Sequence, residues 1–214
     1  MNAKFINQGI AYYENGLSDS LCDEIWNFYF DNLHKSSPGI TISGQSAGPD
    51  NVKWKHTLDQ DVNKNFIGEN EILEQRKIID EKIYQELKIP ISNYLDSFQY
   101  LATAPNIEDT GYLWQMYRKN DGYYKEHIDG EQWSYNVYNR IAAILCYINT
   151  VDEGGETYFR YQDLKVKPQK GAVVLFPTSW MYPHEALVPI SSEKLIISSF
   201  LICNPIEFHI HRAA

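Results

Sequence analysis

The sequence predicts an α+β fold that is mainly β: an antiparallel barrel or jelly roll supported by helices near the N-terminus. Helical periodicity of apolar residues is confined to the part of the chain before Pro105. After Pro105, short segments rich in β-branched and aromatic residues alternate with Gly, Asn and Asp turns, which is typical of antiparallel β proteins. We therefore expect a single domain over residues 1–214, with a helical part over about 1–104 and a β core over about 105–205.

The composition limits the class of protein. The chain has 214 residues, of which 43% are hydrophobic and 22% charged, and this suits one globular domain. A net charge of -9 argues against a broad nucleic-acid-binding face. No segment resembles a signal peptide or a membrane span, so no membrane partner is expected. Cys22, Cys146 and Cys203 form no C-x-x-C pair, which predicts reduced thiols and a cytoplasmic location.

The part before Pro105 is expected to contain one strand and three helices. Ser18 or Asp19 should cap the first helix, and Pro90 should interrupt the helical pattern between the second and the third. Segment 36–52 is rich in Ser, Gly and Pro, and we interpret it as a flexible connection, with a functional lid as the alternative. The predicted elements are a strand over 5–14 and helices over about 19–34, 70–87 and 91–100.

Eight strands are expected after Pro105. Turn sequences such as Asn120-Asp121-Gly122 and Gly154-Gly155 separate them. They cover residues 112–118, 123–129, 139–148, 157–160, 164–167, 172–177, 182–188 and 194–202.

The triplet His127-Ile128-Asp129 is the strongest functional signal in the chain. On a strand, residues two apart project from the same face, so His127 and Asp129 can bind one ion. His184, on another predicted strand, supplies a third ligand. Two imidazoles and one carboxylate leave about three coordination positions open, which suits non-haem Fe(II). A zinc enzyme remains an alternative by ligand count, although the H-E-x-x-H motif is absent.

The surrounding motifs resemble the prolyl 4-hydroxylase type of 2-oxoglutarate/Fe(II) dioxygenase over about residues 110–202. The resemblance implies a double-stranded β-helix (jelly-roll) core that uses Fe(II), 2-oxoglutarate and O2. It also implies hydroxylation of an unactivated C–H bond, with release of succinate and CO2, and it makes ascorbate a candidate cofactor. The resemblance rests on Tyr117, His127-x-Asp129, Tyr147-Ile148-Asn149, Gly154-Gly155-Glu156-Thr157, Gly171 to Phe176, and His184 through Lys194.

The resemblance also implies roles for individual residues. His127, Asp129 and His184 match the iron ligands. Lys194, ten residues after His184, matches the base that pairs with the distal carboxylate of 2-oxoglutarate. A cation is needed there because burying an uncompensated dianion is costly. The alternative for Lys194 is an ordinary solvated lysine at the start of a strand.

Two tyrosines match residues that hydrogen-bond 2-oxoglutarate in such enzymes. Tyr147 is assigned to the distal carboxylate and Tyr117 to the end near the metal, with core packing as the alternative for both. Arg140 is expected to form a structural ion pair with an acid such as Glu126, with a role in substrate binding as its alternative. Four further aromatic residues line the mouth of the site or pack in the core: Tyr124, Trp133, Tyr135 and Trp180.

The favoured substrate is a peptidyl prolyl residue, because the resemblance is to prolyl hydroxylases. A free amino acid or another small molecule is the alternative, since the same core hosts many oxidations. A non-catalytic jelly-roll interaction module is an alternative from another class. The complete set of His127, Asp129, His184 and Lys194 disfavours it.

Overall fold

The computed structural model describes residues 3–40, 54–68, 70–104, 106–130 and 139–203. Its helices are α1 (Asp19–Asp31), α2 (Val62–Asn65), α3 (Asn70–Ser97) and α4 (Gln99–Ala102), with a 3-10 turn at Leu33–Lys35. Its strands are β1 (Phe5–Asn7), β2 (Ile10–Tyr13), β3 (Ser37–Pro38), β4 (Lys55–His56), β5 (Leu58–Gln60), β6 (Ile107–Asp109), β7 (Leu113–Tyr117), β8 (Tyr123–His127), β9 (Asn139–Tyr147), β10 (Thr157–Phe159), β11 (Leu164–Val166), β12 (Val173–Pro177), β13 (His184–Ala186) and β14 (Lys194–Cys203).

Two antiparallel sheets form the core. The major sheet has the order β1-β2-β12-β9-β14-β7-β5-β3, with β6 beside β14. The minor sheet has the order β11-β10-β13-β8-β4. Consecutive strands often lie in different sheets, as in a jelly roll. The predicted mainly β fold, with a jelly-roll core and N-terminal supporting helices, is confirmed.

The central strands of the major sheet are buried on both faces, and their side chains alternate between the two. In β9, Ala142, Ile144 and Cys146 pack against α1 and α3 in a helix-side core. Their neighbours Ala143, Leu145 and Tyr147 point to the other face, into an interior core between the two sheets. β12 and β14 show the same alternation. A strand buried on both faces reads as a continuous apolar run, which is why these strands were easy to recognise in the sequence.

All eight strands predicted after Pro105 are present, within a few residues of their expected bounds. The single strand expected over 5–14 is instead a hairpin, because Gln8 (φ 47°) and Gly9 (φ 87°) reverse the chain between β1 and β2. The short strands β3, β4, β5 and β6 were not predicted. β3 falls inside segment 36–52, although residues 41–52 lie outside the described part of the chain.

The expected interruption at Pro90 was wrong, since α3 continues through it to Ser97. Proline inside a helix removes one backbone hydrogen bond and costs about 3 kcal/mol. Ile83 and Leu87 before Pro90 and Tyr94 after it are all buried in the helix-side core. Packing on both sides of the proline therefore outweighs the local preference to stop. Within the part of the chain that the structure describes, no helix is long and apolar enough to cross a membrane.

Candidate active site

The three predicted metal ligands meet on the inner face of the minor sheet. His127 ends β8, Asp129 follows two residues later, and His184 begins β13 directly opposite His127 in the ladder. One ligand atom from each residue lies within 4.8 Å of the others. The Nε2 atoms of His127 and His184 are each 3.5 Å from a carboxylate oxygen of Asp129. The structure therefore brings together the two imidazoles and the carboxylate that the sequence singled out, and their role as metal ligands stays a prediction.

Both imidazole rings are oriented by backbone carbonyls. His127 Nδ1 lies 2.7 Å from the carbonyl oxygen of Lys125, and His184 Nδ1 lies 3.1 Å from that of Tyr182. These contacts place the ring proton on Nδ1 and leave the Nε2 lone pair directed toward Asp129, as metal-binding histidines require. The donor set and the orientation fit Fe(II).

Electrostatics favour the metal-binding protonation states at this site. Burial, aided by the nearby His127, lowers the pKa of His184 to about 4, so this imidazole is neutral at pH 7. Burial alone would raise the pKa of Asp129, but His184 and His127 outweigh it and lower the pKa to about 2. A neutral imidazole and an ionised carboxylate are the forms that bind a metal ion.

Aromatic rings enclose the two histidines. The Tyr124 ring stacks on His127 with a centroid distance of 3.6 Å and an interplanar angle of 14°. Phe176 meets His184 edge-on at 4.8 Å, and Phe159 lies 5.5 Å from the same ring. These contacts restrict ring rotation and exclude water from one side of the site. Trp180, in contrast, is 59% exposed, and Trp133 and Tyr135 lie outside the described residues.

A cavity of about 150 Å³ extends from the triad between the two sheets. Tyr117, Gln115 and Leu113 of β7 line it together with Ile196 and Ser198 of β14. Lys194 does not line the cavity itself but is paired with the lining residue Tyr117 in the ladder. We call the region around Lys194 and Tyr117 the Lys194 end. The other lining residues used below are Lys55, Thr157 and Phe200.

Lys194 is a fully buried cation at the Lys194 end. Its Nζ donates to the carbonyl oxygen of Gly155 at 2.8 Å and lies 4.1 Å from the centroid of the Tyr117 ring. No carboxylate among the described residues is within ion-pair distance of it. Burial lowers the pKa of Lys194 to about 7, although Glu156 acts in the opposite direction. A buried ammonium without its own counter-ion is a binding site for an anion.

The two predicted tyrosines occupy different positions. Tyr117 lines the cavity and is the tyrosine that contacts Lys194. The Tyr147 hydroxyl donates to Thr157 Oγ1 at 2.7 Å, and it is Thr157 that lines the cavity. Their assignments to the two ends of 2-oxoglutarate stay predictions.

Arg140 does not pair with Glu126, the acid named as an example for it, and an ion pair with another acid stays a prediction. Glu126 pairs instead with Arg160, which follows the end of β10. The Arg140 guanidinium donates to the backbone carbonyl of Asp129 at 3.0 Å and lies 3.7 Å from the centroid of the Phe200 ring. Arg140 therefore holds the loop that carries a metal ligand.

Sequence reasoning missed a buried ion pair in the cavity wall. Lys55 and Asp59 are 5% and 6% exposed, and Nζ lies 2.8 Å from Oδ2. The alternation of Lys55, Thr57 and Asp59 was the available signal, because such spacing puts three polar side chains on one face of an extended segment.

Comparison with known proteins agrees with this geometry. Residues 112–202 match the model of the 2OG-Fe(II) oxygenase superfamily. A search of curated proteins finds no significant match. Among solved structures, the viral collagen prolyl hydroxylase of Paramecium Bursaria Chlorella virus-1, in its 2OG complex, aligns with a TM-score of 0.62 and 20% identity, over 92% of this chain and 97% of its own.

Two further structures are similar. A prolyl-4-hydroxylase of Pseudomonas putida aligns with a TM-score of 0.60 and 15% identity, over 92% of this chain and 94% of its own. A Trichoplax adhaerens prolyl hydroxylase, in complex with a hypoxia inducible factor peptide fragment, aligns with a TM-score of 0.63 and 16% identity, over 91% and 84%. At these identities the likeness establishes the fold.

The stretch matched by the family model contains every strand that carries the triad and Lys194. Fe(II) and 2-oxoglutarate are the cofactor and co-substrate of that superfamily, and the donor set and the buried cation fit them. Residues 112–202 thus match the 2OG-Fe(II) oxygenase superfamily, and the protein is a 2-oxoglutarate- and Fe(II)-dependent dioxygenase.

Proposed function

We propose that the protein hydroxylates a prolyl residue in a peptide or protein, with 2-oxoglutarate and O2 consumed and succinate and CO2 released. The observation that carries this proposal is one cavity that contains the triad, approaches a buried cation and continues along a mixed apolar and polar wall. The similar solved structures are prolyl hydroxylases, and the Trichoplax protein is in complex with a peptide fragment.

The protein side of the reaction is binding and orientation. His127, Asp129 and His184 would hold Fe(II), and Lys194 beside Tyr117 would hold the distal carboxylate of 2-oxoglutarate. When bound, Fe(II) with 2-oxoglutarate and O2 supplies the oxidising chemistry. The stacked Tyr124 ring and the Phe159 and Phe176 side chains keep the imidazoles in place.

The size of the cavity supports a substrate that enters only in part. Pockets that enclose a whole drug-sized ligand have volumes of about 300–1,000 Å³. The volume here is about 150 Å³, and 2-oxoglutarate must occupy some of it. A single side chain of a peptide can reach the triad from outside, while the rest of the peptide stays on the surface. Leu113 and Phe200 offer apolar contacts to such a side chain.

The test is substrate-stimulated turnover. Protein loaded with Fe(II) is incubated with 2-oxoglutarate, O2 and either a capped oligoproline peptide or free L-proline. We expect the peptide to stimulate succinate formation and to gain the mass of one oxygen atom. Stimulation by free amino acids alone would refute the proposal. In the same assay, added ascorbate should prolong turnover.

A cytoplasmic location stays a prediction, which rests on the three free cysteines.

A further inference from the structure

Lys55 is a second buried lysine, and it lies in the wall of the active-site cavity. It lies on β4 and pairs with Tyr124 of β8 in the minor sheet. Its Nζ is 5.2 Å from the centroid of the Tyr124 ring, and the same ring stacks on the metal ligand His127. Lys55 is therefore separated from the metal site by one aromatic side chain.

The ammonium group of Lys55 has spare hydrogen-bonding capacity. Its hydrogen bond to Asp59 uses one of the three N–H groups of a lysine. Across the described ranges of the chain, the other contact of this ammonium is the Tyr124 ring, which accepts no conventional hydrogen bond. The side chain is 3% exposed. Two buried donors that face a cavity require acceptors from whatever occupies it.

The charge of Lys55 is already balanced by a carboxylate that is held firmly. Asp59 accepts from Thr57 Oγ1 at 2.7 Å and from Gln115 Nε2 at 3.5 Å, in addition to Lys55. The backbone of Gly39 covers the pair, since a Cβ there would lie 2.8 Å from Asp59 Oδ2. The carboxylate has little room to move away.

This arrangement selects the chemical class of the acceptor. A second carboxylate beside Lys55 would be repelled by Asp59, and the ion pair as a whole has no net charge to attract it. A neutral carbonyl oxygen is strongly polar but carries no full charge, so it can accept from the ammonium without that repulsion.

We propose that Lys55 is a substrate-binding residue, which donates a hydrogen bond to a backbone carbonyl oxygen of the peptide beside the target residue. Asp59 is its positioning residue. The inference rests on the proposed peptide hydroxylation, and it makes Lys55 a determinant of the preference for peptides over free amino acids, which present a carboxylate in place of that carbonyl.

The test is the Lys55→Met variant, which keeps the length of the side chain and removes its donors. With an N-acetylated, C-amidated oligoproline peptide, we expect the KM for the peptide to rise at least about tenfold. The KM for 2-oxoglutarate and the peptide-independent formation of succinate should change less than about twofold. Lys55→Arg, which keeps charged donors, should recover part of the loss. Lys165→Met, at an exposed lysine on β11 that lies over the Tyr158 ring, is the matched control.

Loss of Lys55 leaves Asp59 buried without its counter-ion, so Lys55→Met can fail to fold. The double variant Lys55→Met/Asp59→Asn removes both charges, and the introduced amide retains partners in Thr57 and Gln115. We expect it to fold and to show the same rise in the KM for the peptide. An unchanged peptide KM in this folded variant, or an equal rise in the KM for 2-oxoglutarate, would overturn the inference. Failure of the wild-type protein to hydroxylate any peptide would overturn the proposed function as well.

Discussion

The two buried lysines of the cavity differ in what the chain itself supplies to neutralise them. Both lie against a tyrosine ring, Lys194 against Tyr117 and Lys55 against Tyr124. Lys194 donates to a neutral backbone carbonyl, whereas Lys55 donates to the carboxylate of Asp59. We therefore expect Lys194 to bind an anion and Lys55 to donate to a neutral carbonyl oxygen, because the charge of Lys55 is already balanced by a carboxylate.

Removing a metal ligand should abolish the reaction even though both lysines are intact. This is the largest effect that we predict. Asp129→Ala leaves two imidazoles without the carboxylate between them. We expect loss of bound iron and a fall in succinate formation of at least about 1,000-fold. Metal content by elemental analysis and turnover by mass spectrometry measure the two effects. Glu126→Ala, at a carboxylate that pairs with Arg160, is the control and should stay near wild type. Full activity of Asp129→Ala would refute the assignment of the triad.

Removing the uncompensated lysine should affect the co-substrate alone. In Lys194→Met the buried dianion has no cation, and we expect the KM for 2-oxoglutarate to rise about 100-fold. The KM for the peptide should hardly change, because Lys55 is intact. Steady-state kinetics with each substrate varied in turn separate the two constants. Lys165→Met, at an exposed lysine near Tyr158, provides the control for loss of a positive charge. Normal affinity of Lys194→Met for 2-oxoglutarate would contradict the role of Lys194 as the binding site of its distal carboxylate.

Removing the counter-ion of Lys55 should make Lys55 an anion-binding residue, as we expect Lys194 to be. In Asp59→Asn the ammonium of Lys55 loses its carboxylate, so that end of the cavity becomes an anion site. We expect inhibition of peptide hydroxylation by acetate to become about tenfold stronger. Thr57→Val removes a hydrogen bond from Asp59 but keeps its charge, and should not change the inhibition. If acetate inhibits Asp59→Asn and wild type equally, the counter-ion does not set the ligand class.

The pH dependence of 2-oxoglutarate binding is the smallest effect and reports on Lys194. Burial lowers the pKa of this lysine to about 7, so the cation in the free site is lost as the pH rises through that value. The dianion binds the charged form. Affinity should therefore be highest below about pH 7 and should fall about fivefold from about pH 7 to about pH 8, with proton uptake on binding. Calorimetry in buffers of different ionisation enthalpy measures both quantities. Lys194→Arg should remove the dependence, and a wild-type affinity that rises with pH would contradict it.

The part of the site that could be predicted from the sequence depends on local spacing. His127 and Asp129 are two residues apart where β8 ends, and the register of β8 against β13 brings His184 opposite His127. The ten-residue interval to Lys194 also marked the correct residue for a buried cation. The fold was predictable for a related reason, since strands with two buried faces are recognisable from their apolar runs.

The rest depends on contacts that are distant in sequence. The alternation of Lys55, Thr57 and Asp59 places them on one face, but their strands of two and three residues give no sign of burial, which comes from pairing with β8 and β7. The helix α3 continues through Pro90, against the local preference of proline to end a helix, because residues on both sides of Pro90 pack in the helix-side core. Tyr117 lies opposite Lys194 because of the register of β7 against β14. The sequence of either strand alone does not predict this register.

The alternation of β14 has a consequence for how this protein can change in evolution. Lys194 and Ile196 face the cavity, while Leu195 and Ile197 face the helices. Insertion or deletion of one residue within the strand would exchange the two sets and place a leucine where the cation belongs. Both faces of the strand are buried, so neither face could accept the side chains of the other. From Lys194 to Ile197 the strand can accept substitutions that keep the alternation, whereas a change in length has to be absorbed elsewhere, in a turn or at the irregularity between Leu201 and Ile202.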